Sequence, residues 1–77
     1  MSVQGTDRPP QLPTDRVAAE LRARITASEW AADEQLPSAA TLAGQHNTSR
    51  ATMSRAIQRL ADEGLLRVVP SWGTFRT

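Results

Sequence analysis

The segment Thr48-Ser-Arg-Ala-Thr-Met-Ser-Arg55 interleaves two guanidinium groups, Arg50 and Arg55, with four hydroxyls, Thr48, Ser49, Thr52 and Ser54. So dense a set of hydrogen-bond donors suits an acceptor-rich partner, and a nucleic acid presents acceptors along both its phosphate backbone and its base edges. A guanidinium at Arg50 offers parallel N–H groups that match guanine O6 and N7 together. Thr52, and Ser38 upstream, carry hydroxyls suited to anchoring phosphates, a contact that sets register without reading sequence. Ala51 presents a methyl group fit to lie against that of thymine, and Arg55, one turn further in beside Ser54, suits phosphate better than a base.

Other chemistries find no comparable foothold. His46 is the only histidine and cysteine is absent, so neither thiolate nor paired imidazole ligands for a metal can be assembled. The lone ring is expected half-buried in a turn. Asp62 and Glu63 are neighbouring carboxylates at a solvated helix end and enclose no substrate. With no nucleophile–base pair and no Gly-rich phosphate loop, the expectation is a non-enzyme without cofactor or metal. A winged-helix module for protein–protein contact is the alternative from another class. Such modules carry apolar or acidic residues where this chain has Arg50 and Arg55, which argues for the nucleic-acid reading.

Charge agrees with that reading through its distribution. The whole chain carries only +1. From Ser49 onward, however, five arginines face two acids, giving +3, while the first 48 residues hold four arginines and six acids, giving −2. Such asymmetry marks one end as facing a polyanion. At 77 residues the chain is one small domain, burying only ~60% of the surface its unfolded form exposes. No apolar run approaches a membrane span and no signal pattern opens the chain. A soluble, cytoplasmic protein is expected.

The elements that must position these groups follow from periodicity. With Pro9, Pro10 and Pro13, residues 1–13 are expected to form a flexible arm. A first helix is predicted from about Asp15 to Ala27, capped by Thr14 or Asp15, with Val17, Ala18, Leu21 and Ile25 as its apolar stripe. An aperiodic segment, Ser28 to Leu36, follows; Trp30 and Leu36 fold back on the core and Gln35-Leu36 forms a brief strand. Ser38 caps a second helix over Ala39 to Gln45, with Leu42 and Ala43 inward. Asn47 tolerates the left-handed backbone a tight turn needs. Ser49 then caps a third helix to about Glu63, whose core stripe is Met53, Ala56, Ile57 and Leu60 and which Gly64 ends. Arg59, close to Asp62 and Glu63, is expected to be solvated or ion-paired. Leu66–Val69 and Thr74–Thr77 read as strands of a hairpin turning at Pro70-Ser71-Trp72-Gly73, with Phe75 filling the core beneath. Trp72 either stacks on sugar and backbone or covers apolar surface at the base of the hairpin.

The order helix, helix, tight turn, helix, hairpin is an α+β, mainly α arrangement: a winged helix-turn-helix over residues 14–77. Ala43 is small enough for the helices to cross closely, Asn47 makes the turn, and Thr48 to Thr52 give the polar leading turn that enters a major groove.

On these residues the chain resembles the GntR family of bacterial transcription regulators. The matching pieces are Leu36-Pro-Ser38, Leu42-Ala43, Thr48 to Ile57, Leu60-Ala-Asp-Glu-Gly-Leu-Leu66 and Gly73-Thr-Phe75. The LacI-type pattern is close over Thr41 to Ala43 and Ala51 to Arg55, but it continues into further helices where this chain has its hairpin. Resemblance to the GntR family implies a DNA-binding domain, with Ser38, Thr48, Ser49, Arg50, Ala51, Thr52, Ser54 and Arg55 facing the operator together with Ser71, Trp72 and Gly73 of the wing. It further implies a palindromic double-stranded operator bound by a homodimer, and an effector-binding, dimerising domain. Because the chain ends just after the hairpin, that domain is expected outside it, unless the regulator is unusually short. The chain departs from the family pattern at Ser28, Ala31, Ala32 and Asp33, where glycine and proline are usual. It departs again at Ala39-Ala40, in place of an acid and a basic residue, and at Asn47 and Ser71, which take positions of glycines.

Overall fold

The computed structural model describes residues 12–77. Its elements are α1 (Pro13–Thr26), α2 (Ala39–Gln45), α3 (Arg50–Asp62), β1 (Leu66–Val69) and β2 (Gly73–Arg76). The expected arm lies outside the described residues except at its end, where Pro13 belongs to α1. Leu12 is the N-cap and no side chain caps the helix, so neither Thr14 nor Asp15 does the expected job. Proline explains the difference. At the first helical position it has no N–H to satisfy and its φ is already helical, while Asp15 remains in the first turn, where it complements the helix dipole.

α1 and α3 pack along their apolar stripes, and α2 closes the core from the side. Leu21, Ile25, Leu42, Met53, Leu60 and Val17 are the largest side chains sealed from solvent, and full burial of such a side chain contributes ~1.5–3 kcal/mol. Trp30, Leu36 and Leu66 join the same cluster, with Ile57 and the small Ala18, Ala43 and Ala56. Phe75, expected in the core, is only half-buried; its ring lies 5.6 Å from the Arg67 guanidinium, because it pairs with Arg67 in the hairpin, one place out of phase with buried Leu66. His46 departs in the opposite direction: expected half-buried, it is buried, since its ring nitrogens are hydrogen-bonded to Glu20 and Arg24.

All three helices end in the same way. Past α3, Gly64 (φ 84°) donates its N–H to Ala61 O, and Leu65 donates to Leu60 O, the paired bonds of a Schellman motif. Past α2, Asn47 (φ 53°) donates to Gly44 O and Thr48 donates to Ala43 O. Past α1, Ser28 (φ 63°) donates to Ile25 O and Glu29 to Arg24 O. Only one of the three left-handed positions is a glycine.

β1 and β2 pair antiparallel with Leu66 opposite Arg76 and Val69 opposite Gly73. The brief strand expected at Gln35-Leu36 is present as a bridge from Gln35 to Phe75. Leu36 N–H donates to Thr74 O and Arg76 N–H to Glu34 O, so the 34–36 segment lines the outer edge of β2 and ties the hairpin to the helical body.

Candidate nucleic-acid interface

The leading turn of α3 is built around Ser49. Its Oγ accepts from Thr52 N–H at 3.1 Å and donates to Thr52 Oγ1 at 2.9 Å. The cap therefore uses both capacities of the serine hydroxyl and leaves the Thr52 hydroxyl hydrogen free to donate. Ser38 repeats the device at α2, accepting from Thr41 N–H and donating to Thr41 Oγ1. With Thr52 N–H satisfied, the N–H groups of Arg50 and Ala51 remain open at the start of a 13-residue helix, where the dipole favours an anion.

Side chains around this turn face outward. Ser49, Arg50, Ala51, Ser54 and Arg55 are exposed, while Thr48 and Thr52 are half-buried. Among the described residues, five arginines lie against carboxylates: Arg16 with Glu20, Arg22 with Glu63, Arg24 with Glu29, Arg59 with Asp15, and Arg67 more loosely with Asp33. Arg76 donates to Thr77 O. Arg50 and Arg55 have no such partner among those residues, so both charges point into solvent.

Arg59 is ion-paired, though with Asp15 on α1 and not with its sequence neighbours. Asp62 accepts from Gln58 instead, and Glu63 accepts from Arg22 Nε at 2.9 Å and Nη2 at 2.6 Å. That bidentate grip holds the Glu63 carboxyl below the usual carboxylate range. Acids thus pair with five arginines of the scaffold, while the two arginines of α3's leading half have no carboxylate partner among the described residues.

At the hairpin tip, Trp72 N–H donates to Val69 O, closing a four-residue turn with Pro70 second and Ser71 third. Ser71 has φ 68°, as the third position of a type II turn requires. Trp72 is 74% exposed, which removes the reading in which it covers apolar surface at the wing base. Gly73 is fixed by a neighbour absent from the expected site, Gln35. Its Nε2 donates to Trp72 O at 2.9 Å, and a Cβ on Gly73, whose φ is 129°, would stand 2.5 Å from that nitrogen. No sequence signal marks Gln35, because its partner lies far along the chain.

Two groups of expected residues emerge. Thr48, Ser49, Arg50, Ala51, Thr52, Ser54 and Arg55 share one helix start. Ser38 lines a cleft of about 430 Å³ opposite Ser71, Trp72 and Gly73, so the cap of α2 and the wing tip form the second group. No three His, Asp or Glu side chains cluster as metal ligands, and no helix is long and apolar enough to cross a membrane, both among the described residues.

Three helices with a tight α2–α3 turn and a trailing hairpin define a winged helix-turn-helix domain. A family model described as "Bacterial regulatory proteins, gntR family" matches residues 13–75. The chain belongs to the gntR family of bacterial regulatory proteins. It is 41% identical over 59 residues to the HTH-type transcriptional regulator GmuR of Bacillus subtilis, covering 77% of this chain and 25% of that protein. It is 36% identical over 61 residues to the histidine utilization repressor of Klebsiella aerogenes, covering 79% and 25% respectively. The chain thus spans about a quarter of the length of these curated relatives. Among solved structures, the AraR DNA-binding domain in complex with operator ORE1 superposes with a TM-score of 0.83 at 27% identity, covering 100% of this chain and 93% of that one.

Proposed function

We propose that this chain is the sequence-specific DNA-binding domain of a gntR-family transcription regulator, acting as a repressor in the cytoplasm. α3 enters the major groove, with Arg50 reading a guanine, Ala51 against a thymine methyl, and Ser49, Thr52, Ser54 and Arg55 on backbone and adjacent edges. Thr48 and Ser38 anchor flanking phosphates. The wing, through Ser71, Trp72 and Gly73, rests on the backbone or the neighbouring minor groove, where the exposed indole stacks on sugar. One such module buries only ~600–1,000 Å², so binding as a homodimer on a palindromic operator follows, with dimerisation supplied by a region outside this chain.

The observation that carries the reading is a pair of guanidinium groups, without a carboxylate partner among the described residues, beside a capped, outward-facing helix start. Support comes from the relatives as well: one is named a transcriptional regulator, another a repressor, and the AraR domain is bound to an operator. Selection of bound duplexes from a random-sequence pool tests it directly. A DNA reader enriches a short motif, recovered as an inverted repeat when the domain is dimerised. A pool that stays random after several rounds at low salt would overturn the reading.

A further inference from the structure

His46 stands where α2 becomes the turn, and α1 grips it from three sides. Its Nδ1 lies 2.8 Å from Glu20 Oε1, its Nε2 lies 2.9 Å from Arg24 Nη1, and its carbonyl accepts from Arg16 Nη1 at 3.3 Å. Arg24 Nη1 also donates to Gln45 Oε1 at 2.9 Å. A guanidinium has no acceptor and keeps its charge at any ordinary pH, so Nε2 must be the acceptor of that contact. The proton of the neutral ring therefore sits on Nδ1 and is donated to the Glu20 carboxylate. With 8% of its side chain exposed, the ring has little water to turn to.

We infer that His46, as the neutral Nδ1–H tautomer, is a positioning residue for DNA recognition: it fastens the helix-turn-helix corner to α1 and thereby sets where Arg50 is presented. The inference rests on the DNA-binding reading and adds a residue that touches no DNA. His46 is the C-cap of α2, donating its N–H to Leu42 O. Asn47 then takes its left-handed turn and Ser49 caps α3, so a shift at His46 is passed within four residues to Arg50.

Protonation at Nε2 would turn the acceptor into a donor facing a second cation at 2.9 Å. Arg24 would have to withdraw, and Gln45 would lose its partner with it. The charged groups around the ring pull in different directions. On α1, Glu20 favours the imidazolium while Arg16 and Arg24 oppose it. Glu29 of the following loop is already occupied by Arg24, and no titratable group of α2 or α3 is bonded to the ring among the described residues. Glu20 is held below the usual carboxylate range by the His46 ring and then by Arg16, so it stays ionised and keeps the Nδ1 side of the tie while the Nε2 side fails.

The chain's single histidine makes the test clean. Long-range 1H–15N spectra of the free protein at neutral pH should show a protonated Nδ1 and a bare Nε2. The reverse tautomer would overturn the inference. Next, the preference for a duplex recovered by selection over a random duplex is measured from about pH 8 to about pH 5.5. Acid alone strengthens binding to any duplex, so the preference, and not the affinity, is the readout. It should fall about tenfold, the equivalent of one charge-assisted hydrogen bond. His46→Gln, which keeps an acceptor for Arg24 and a donor for Glu20 but cannot titrate, should hold its preference across the range. His46→Leu should show the low preference throughout. A wild-type preference indifferent to pH, or a Gln variant that follows the wild-type profile, would overturn the inference. If no duplex binds even at pH 8, the DNA reading fails on its own. The protection of the Asn47 and Thr48 amides against exchange, taken relative to the intrinsic rate at each pH and measured without DNA, then decides the tie: a fall in protection on acidification supports it, and unchanged protection overturns it.

Discussion

Arg55 and Arg59 stand one turn apart on the same helix and meet opposite fates. Arg59 is closed by Asp15 of α1, whereas Arg55, like Arg50 before it, has no carboxylate within reach among the described residues. The trailing half of α3 is paired into the scaffold, and its leading half is the part that the proposed function gives to DNA. What separates them is the acid supply of the facing element: α1 offers Asp15, Glu20 and, through Arg22, a hold on Glu63. None of these acids, among the described residues, pairs with Arg50 or Arg55. A cation left in solvent gains little for folding, since exposed pairs themselves contribute only ~0–1 kcal/mol. Its value lies in what it can meet.

Breaking the contrast at Arg50 should give the largest effect. Arg50→Ala should cost ~1–3 kcal/mol of affinity for a selected operator while changing random-duplex binding far less. Equal losses on both duplexes would reduce Arg50 to a phosphate contact. Arg55→Ala should act more evenly, weakening all duplexes and lowering the slope of log K against log salt by ~0.9, one phosphate's worth. An unchanged slope would show that Arg55 neutralises no phosphate.

On the scaffold side the effects shrink. Glu63→Gln should lower thermal stability only slightly and leave discrimination between duplexes untouched, and a loss of discrimination would erase the distinction between the two halves. The pH dependence has a definite sign. Glu20, Glu29 and Glu63 all sit below their ordinary values in the folded chain, so they favour folding above the unfolded carboxylate range, ~4–4.5. That contribution fades as acid protonates them, and in Glu63→Gln the loss between neutral and acid pH should be smaller than in the wild type.

Much of this was legible in the residues themselves. Helical periods placed all three stripes, and Ser38, Ser49, Asn47 and Gly64 announced caps and turns because their chemistry is local. Interactions that reach across the chain were not legible. Arg59 has acids three and four residues away and pairs with one on another helix, since the packing of α1 on α3 sets Asp15 beside it while Gln58 takes Asp62 and Arg22 takes Glu63. His46 is buried because two α1 residues satisfy its ring. Phe75 misses the core through the phase of the hairpin, which a run of β-prone residues leaves open. As for the interface, its residue types were visible, but what sets Arg50 and Arg55 apart, the absence of carboxylate partners for them among the described residues, exists only once α1 and α3 are docked.

The contact between Gly73 and Gln35 divides two duties at the wing tip. The backbone at position 73, with φ 129°, strains any residue but glycine whatever stands nearby, so that demand does not depend on position 35. Gln35 is the yielding partner: its amide is the free end of a flexible side chain, and what it contributes is the hold on the Trp72 carbonyl. Across relatives with a comparable wing, position 73 should therefore stay fixed while position 35 varies, and the tip should tighten or slacken with it.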